Sequence, residues 1–502
     1  DLSHAKLATC DMGELTPLSV VEALPGDTFM NRVSTLIRLM PLASPCYHRM
    51  VVRTHMWFVP SRLLWDDWED FITGGQDGTG AASAYPYIAG HATNGFVQGE
   101  LADYFGIPTG AQGANMQVSA LPFRAYNLIF NEFYRDQDLV TELTVPTAGG
   151  ADTTSPIVLQ NCGWEKDYLT SSRPEPQKGP EVTLPLGLEA DVLGIGSENA
   201  TFPNAGLTAR ETGASAARAY ANSKTIDSSG ANSNFRVEQD PSNTGFPYIR
   251  ADLSEASAAS ITDLRTAAAL QRYQERLMRY GSRYSEYLLS MGVRAQDMRL
   301  QRPEYIGGGK QVISLNEVLQ TAPNVNATDN EGVGNLLGQG IGAVRSRRSK
   351  YTCHEHGYVI TLLSVRPVAM YANGLNRMWS RRTKEDYWQP ELQFIGQQPV
   401  YDREAYGQSD ANGGSGVFGW QDRYDEYRRA DSTIAADFRS TLNYWHMARI
   451  FGSEPALNAD FVTCDPTKRI FVEQTQDCLQ VIAHHDFRAR RMLAFDGTPR
   501  LS

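Results

Sequence analysis

Several stretches of the chain alternate apolar and polar residues with a period of two, the spacing of a β-strand. "RMVVRTHMWFV" (Arg49 to Val59) places Met50, Val52, Thr54, Met56 and Phe58 on one face and Arg53 and His55 on the other. That is the pattern of a half-buried strand, and Pro60 ends it. "TFMNRVSTLIRL" (Thr28 to Leu39) reads as a partner strand. Near the end of the chain, "CLQVIAHHDFRARRML" (Cys478 to Leu493) sets Leu479, Val481, Ala483, His485, Phe487 and Ala489 on one face. "YVITLLSV" (Tyr358 to Val365) is apolar on both faces, as a strand covered on both sides must be.

Helical spacing is rarer. In "LPFRAYNLIFNEFYRD", Phe123, Tyr126, Phe130 and Phe133 recur at i, i+3, i+7 and i+10, with Pro122 near the first turn, which predicts a short helix with an aromatic face. "WDDWEDF" predicts another, burying Trp65, Trp68, Phe71 and Ile72 and leaving Asp66, Asp67, Glu69 and Asp70 in water. The longest helical segment is Ser260 to Gly292, with Leu264, Ala268, Tyr273, Leu277 and Tyr280 on one stripe; Gly281 interrupts it and Gly292 stops it. Residues 187–258 are rich in Ala, Ser, Asn and Gly and poor in large apolar side chains, so they read as an exposed insertion. Strands at both ends, long excursions between them, and no βαβ alternation point to one antiparallel domain over residues 1–502 with large insertions.

Composition narrows the class. A hydrophobic fraction of 41% with 10% aromatics supports a packed core. No apolar run reaches membrane-spanning length, and "DLSHAKLATCDMGELTPLSVVE" lacks the basic and apolar regions of a signal peptide. A formal charge of −11 excludes a surface that binds nucleic acid all over, though not a local basic patch. The six cysteines (Cys10, Cys46, Cys162, Cys353, Cys464 and Cys478) show no C-x-x-C spacing, which suits reduced thiols in a cytosolic setting.

Catalytic signatures are weak. In "CHEH", His354 and His356 would share one face of a strand, as a pair of metal ligands can. Cys353 and Glu355 would point the other way, and a cupin-type pattern fails at Arg348, Ile360 and Thr361, where it needs Gly and Glu. His484 and His485 are likewise split across two faces. "EYIGGGKQVI" lacks a P-loop pattern and reads as a glycine-rich turn before a strand. There is no G-x-S-x-G elbow and no H-E-x-x-H. No catalytic residue, metal site or cofactor is expected. The remaining lead is cationic: Arg345, Arg347, Arg348 and Lys350; Arg488, Arg490 and Arg491; and Arg377, Arg381, Arg382 and Lys384 around Trp379. Such clusters can pair phosphates, with aromatics stacking bases, or they can form solvated faces and subunit contacts. The first two are the candidate nucleic-acid contacts.

Seven segments in order are more specific: "LPFRAYNLIFNEFYRDQDL", "WEKDYLTSSRPEPQKGPEVTLPLG", "LRTAAALQRYQERLMRYGSRYSEYLLSMGV", "QRPEYIGGG", "EHGYVITLLSVRP", "GLNRMWSRRTKEDYWQPEL" and "RSTLNYWHMARIF". Together they resemble the major capsid proteins of Microviridae, small icosahedral single-stranded DNA phages, and most of all the gokushovirus-like branch. The resemblance implies a mainly β fold, an eight-stranded antiparallel viral jelly-roll β-barrel with long, partly helical loop insertions. It implies a T=1 shell of about sixty copies enclosing a circular single-stranded DNA genome, assembled in the bacterial host cytoplasm and not inserted in a membrane. The partners it implies are an internal scaffolding protein, a DNA pilot protein, a small basic DNA-binding protein and a host surface receptor. In that branch a large insertion forms protrusions at the three-fold axes, and 187–258 lies where it is expected. A jelly-roll carbohydrate-binding protein and a metal-dependent cupin-like enzyme are the alternatives.

Overall fold

The computed structural model describes residues 1–74, 84–180, 182, 261–280, 301–319, 336–408 and 416–493, with short strands between 191 and 252. Contacts divide the chain into two units, Asp1–Pro176 with Met278–Ser502, and Gln177–Leu277.

The first unit is built on two antiparallel sheets. Ten strands supply them: β1 (His4–Cys10), β2 (Thr16–Ala23), β3 (Thr28–Leu39), β4 (Met50–Pro60), β5 (Glu304–Val312), β6 (Ser314–Leu319), β7 (Leu336–Arg345), β8 (Ser349–Thr352), β9 (Gly357–Pro367) and β10 (Leu479–Arg490). One sheet has the order β1-β10-β3-β7-β6, with β8 also on β3; the other has the order β5-β4-β9-β2. This is the mainly β, jelly-roll architecture expected from the sequence. Among the described residues the sheets are separate and do not close into one hydrogen-bonded barrel.

Alternation along the strands sets the core. β3 turns Phe29, Asn31, Val33, Thr35, Ile37 and Leu39 inward, and β10 turns Leu479, Val481, Ala483, His485 and Phe487 inward. Facing them are Val52 and Met56 of β4 and Leu363 and Val365 of β9. A separate cluster joins Phe29 and Phe487 to Phe58 and Val359. Each fully buried Phe or Leu contributes about 2–3 kcal/mol of transfer free energy.

β4 is more buried than its period suggests. Its second face carries Trp57 and Val59, and these are covered by α2 (Leu121–Phe133), which packs Phe123, Tyr126, Ile129 and Phe130 against them and against Ile360 and Leu362 of β9. Phe133, at the rim, stacks on Trp57 with ring centroids 4.0 Å apart. Tyr126 donates its hydroxyl to the Leu15 carbonyl at 2.8 Å, satisfying a buried polar atom. Arg124, on the same helix, is buried and bonds Asp152 Oδ2 at 2.8 Å and the carbonyls of Leu64 and Ala148 at 2.9 Å each. Burial alone would raise the Asp152 pKa, but the Ser155 hydroxyl and N–H, the Arg124 guanidinium and the Thr154 N–H pull it below the usual carboxylate value.

Three expectations change. First, the glycines of "EYIGGGKQVI" lie inside β5 and do not form a turn; the strand bulges between Tyr305 and Gly307. A Cβ on Gly308 would lie 2.1 Å from the Thr54 carbonyl oxygen, and one on Gly309 would lie 3.1 Å from the Ser346 Cα, so only glycine lets the neighbouring backbone approach. Second, α1 (Trp68–Thr73) buries Trp65 beside it but leaves Phe71 and Ile72 exposed; Gly74, at φ 85°, caps the helix left-handed. One turn and a half is too short to turn four aromatic and aliphatic side chains to one side. Third, Cys353 to His356 form a bend between β8 and β9, not a strand.

The long helix is described as α3 (Ile261–Tyr280); its expected continuation to Gly292 lies outside the described residues. Leu264, Ala268 and Tyr273 of its stripe are exposed. The expected insertion at 187–258 also lies largely outside them. What is described there is three nested antiparallel pairs: Asp191–Leu193 with Arg250–Asp252, Ile195–Ser197 with Phe235–Val237, and Thr208–Ala209 with Arg218–Ala219.

Candidate nucleic-acid interface

The inward face of the first sheet is core; its outward face is open. Register sets what that face presents. One row across β1, β10, β3 and β7 is Leu7, Ile482, Leu36 and Ala343; the next is Ala5, His484, Ser34 and Arg345. Beyond it Asp486 sits opposite Arg32, then Arg488, Met30 and Lys350 form a row, and Arg490 sits opposite Thr28. The two basic clusters, more than a hundred residues apart in sequence, therefore flank β3 on one face. Between Ser34 and Thr28 the track is about 20 Å long at a strand rise of about 3.4 Å per residue.

The charges on this track are uneven. Asp486 accepts a hydrogen bond from Arg348 at 2.7 Å and faces Arg488 at 3.3 Å. The bond from Arg348, with both guanidinium charges close by, holds the Asp486 carboxyl below its usual pKa. Arg491 turns away: it pairs with buried Asp27 at 3.1 Å, donates to the Glu22 carbonyl and lies over the Phe29 ring. Among the described residues, Arg345, Arg347, Lys350 and Arg490 have no carboxylate at ion-pair distance, and all four are exposed. Arg32 and Arg38 of β3 complete the face; the period of β3 places them there, opposite Val33 and Ile37, although sequence clustering alone does not single them out.

The third basic cluster has a different environment. Arg377 bonds Glu404 at 3.1 Å and Arg381 bonds Glu426 at 3.1 Å, with both carboxylates buried. Arg381 also lies 4.1 Å from the Tyr427 ring centroid, and Trp379 is 71% exposed. These arginines brace loops of their own chain.

The histidine motifs do not assemble a centre. Glu355 forms a two-pronged pair with Arg62, at 2.9 and 3.1 Å. His356 meets the edge of Trp68, and His354 is exposed. Among the described residues no three His, Cys, Asp or Glu side chains are placed to hold a metal ion. His485 is fully buried, stacked on His4 at 4.6 Å, and burial, with His4, Lys6 and His484 nearby, lowers its pKa to about 3. All six cysteines are buried and free, and burial raises the pKa of each. No described helix is long and apolar enough to cross a membrane.

Comparison with known proteins agrees with the sheet architecture. The chain is 36% identical to "Capsid protein VP1" of Bdellovibrio phage phiMH2K, over 98% of this chain and 93% of that protein. It is 35% identical to "Capsid protein VP1" of Chlamydia phage 1, over 100% and 95%, and 30% identical to that of Spiroplasma virus 4, over 92% and 87%. The model of a family described as "Capsid protein (F protein)" matches residues 1–501. Two facing antiparallel sheets and near full-length similarity lead to one conclusion: the chain belongs to the capsid protein (F protein) family of the Microviridae.

Proposed function

We propose that the chain is a structural, non-catalytic protein that self-assembles into a T=1 shell of about sixty copies around a circular single-stranded DNA genome. The full-length match to a capsid family carries this reading. In it the open, cationic face of the first sheet, with Arg345, Arg347, Lys350 and Arg490 as free charges, meets packaged DNA. The 20 Å track would span about six nucleotides at about 3.4 Å each. Arg348 and Arg488 position Asp486 and one another, while Arg491 anchors the strand end.

The same reading assigns residues 187–258 to an exposed three-fold protrusion that contacts the host receptor. The scaffolding, pilot and small DNA-binding proteins are its assembly partners in the host cytoplasm, and the virion is its final location. Electron microscopy and sedimentation of the expressed chain test the shell. Closed particles or their pentamers are the expected result; a stable monomer that binds glycans would transfer the fold to the carbohydrate-binding alternative.

A further inference from the structure

A second concentration of positive charge lies away from the sheet face. Arg377, Arg381, Arg382 and Arg403 converge with Ser380 and Tyr401 on an open cavity of about 440 Å³, and among the described residues Asp386 is the only carboxylate that lines it. Four guanidinium groups around one space repel each other unless an anion sits among them.

Within the chain Arg377 faces Glu404 and Arg381 faces Glu426. Asp386 is also occupied: its Oδ2 accepts the N–H groups of Arg382 and Thr383, both at 2.8 Å. The Ser380 hydroxyl and Arg381 Nε are buried without a hydrogen-bond partner among the described residues. Unsatisfied buried donors of this kind are costly unless a ligand or water completes them. Arg377 and Arg403 lie over Tyr401, at 5.3 and 5.0 Å from its centroid, which fixes the planes of two guanidinium forks.

We propose that this cavity is a phosphate-binding site. Planar guanidinium forks match a tetrahedral oxyanion in paired hydrogen bonds, and a hydroxyl donor adds a third direction of contact. A carboxylate could use one fork but would leave the other donors and most of the volume empty. The phosphate would be either a phosphodiester of single-stranded DNA or free phosphate, and the chemistry of the cavity is the same for both.

Calorimetric titration of the purified full-length chain in Tris-chloride buffer tests the site. The probes are inorganic phosphate and, separately, a short oligothymidylate. One phosphate per chain is expected to bind, and Arg382→Gln should weaken it about tenfold, as loss of one charge-assisted contact does. Arg382 is exposed, so its removal opens no core cavity; Arg403→Gln is the second variant. Displacement of phosphate by the oligonucleotide identifies a phosphodiester as the ligand, and phosphate binding without displacement identifies the free ion. Absence of saturable phosphate binding, or binding unchanged in both variants, would overturn the inference. So would variants that bind phosphate like the parent but fail to assemble, since the cavity would then hold a carboxylate of a second copy. Phosphate binding that persists after charge removal on the sheet face separates this site from the DNA-facing track.

Discussion

Removing charge from the sheet face makes a quantitative prediction. Arg345, Lys350 and Arg490 are exposed and lack a carboxylate partner among the described residues, so the triple variant Arg345→Gln, Lys350→Gln and Arg490→Gln removes three free cations and breaks no ion pair. Each cation that neutralises a phosphate of a single strand contributes about 0.7 to the slope of log affinity against log salt. Three such contacts change the slope by about 2. Between 50 and 200 mM salt the parent should therefore lose roughly 20-fold more affinity than the variant. Fluorescence anisotropy of a labelled oligothymidylate, titrated with unassembled protein across that range, reads both slopes. Arg491→Gln is the internal control: its charge is committed to Asp27, so it should lower stability and leave the slope unchanged. Parallel lines for the parent and the triple variant would refute the assignment of this face to DNA.

Two further outcomes follow from buried groups. Arg124→Met strands the Asp152 carboxylate in the core and should cost about 3–5 kcal/mol in urea unfolding of the unassembled chain. Adding Asp152→Leu should recover much of that loss, and a single-variant cost under about 1 kcal/mol would contradict the buried pair. His485 is held neutral with a pKa near 3, below the unfolded histidine value of about 6.5. The unfolded chain then binds the extra proton, so this contribution to stability is complete above about pH 6.5 and is lost progressively as pH falls toward 3. His485→Phe should flatten the drop in urea midpoint between pH 7 and 5; an unchanged drop would mean that His485 is already charged or exposed.

Much of the fold is legible in local periods because a period of two survives wherever one face is wet. β10 keeps strict alternation, and α2 keeps its aromatic stripe, for this reason. The reading weakens where a second layer covers the first. β4 reads as half-buried because α2, supplied from sixty residues later, is what buries Trp57 and Val59. The glycines of β5 resemble a turn because their need is for close approach of Thr54 and Ser346, a contact that no local pattern encodes. The basic clusters were visible as composition, yet their shared face depends on the register of three strands. The separation of Arg490, which is free, from Arg491, which is committed to Asp27, depends on a single step of alternation at the end of β10.

The position of β10 also sets a clock. The strand lies between β1 and β3, pairing His485 with His4 on one side and with Val33 on the other. A ribosome must release almost the whole chain before either early strand meets this neighbour. At about 5–20 residues per second, that delay is roughly 25–100 s. During that interval the nascent chain lacks the strand that joins β1 to β3, and with it the Arg488 and Arg490 side of the cationic track. A product truncated before β10 therefore has no finished outer face on its first sheet.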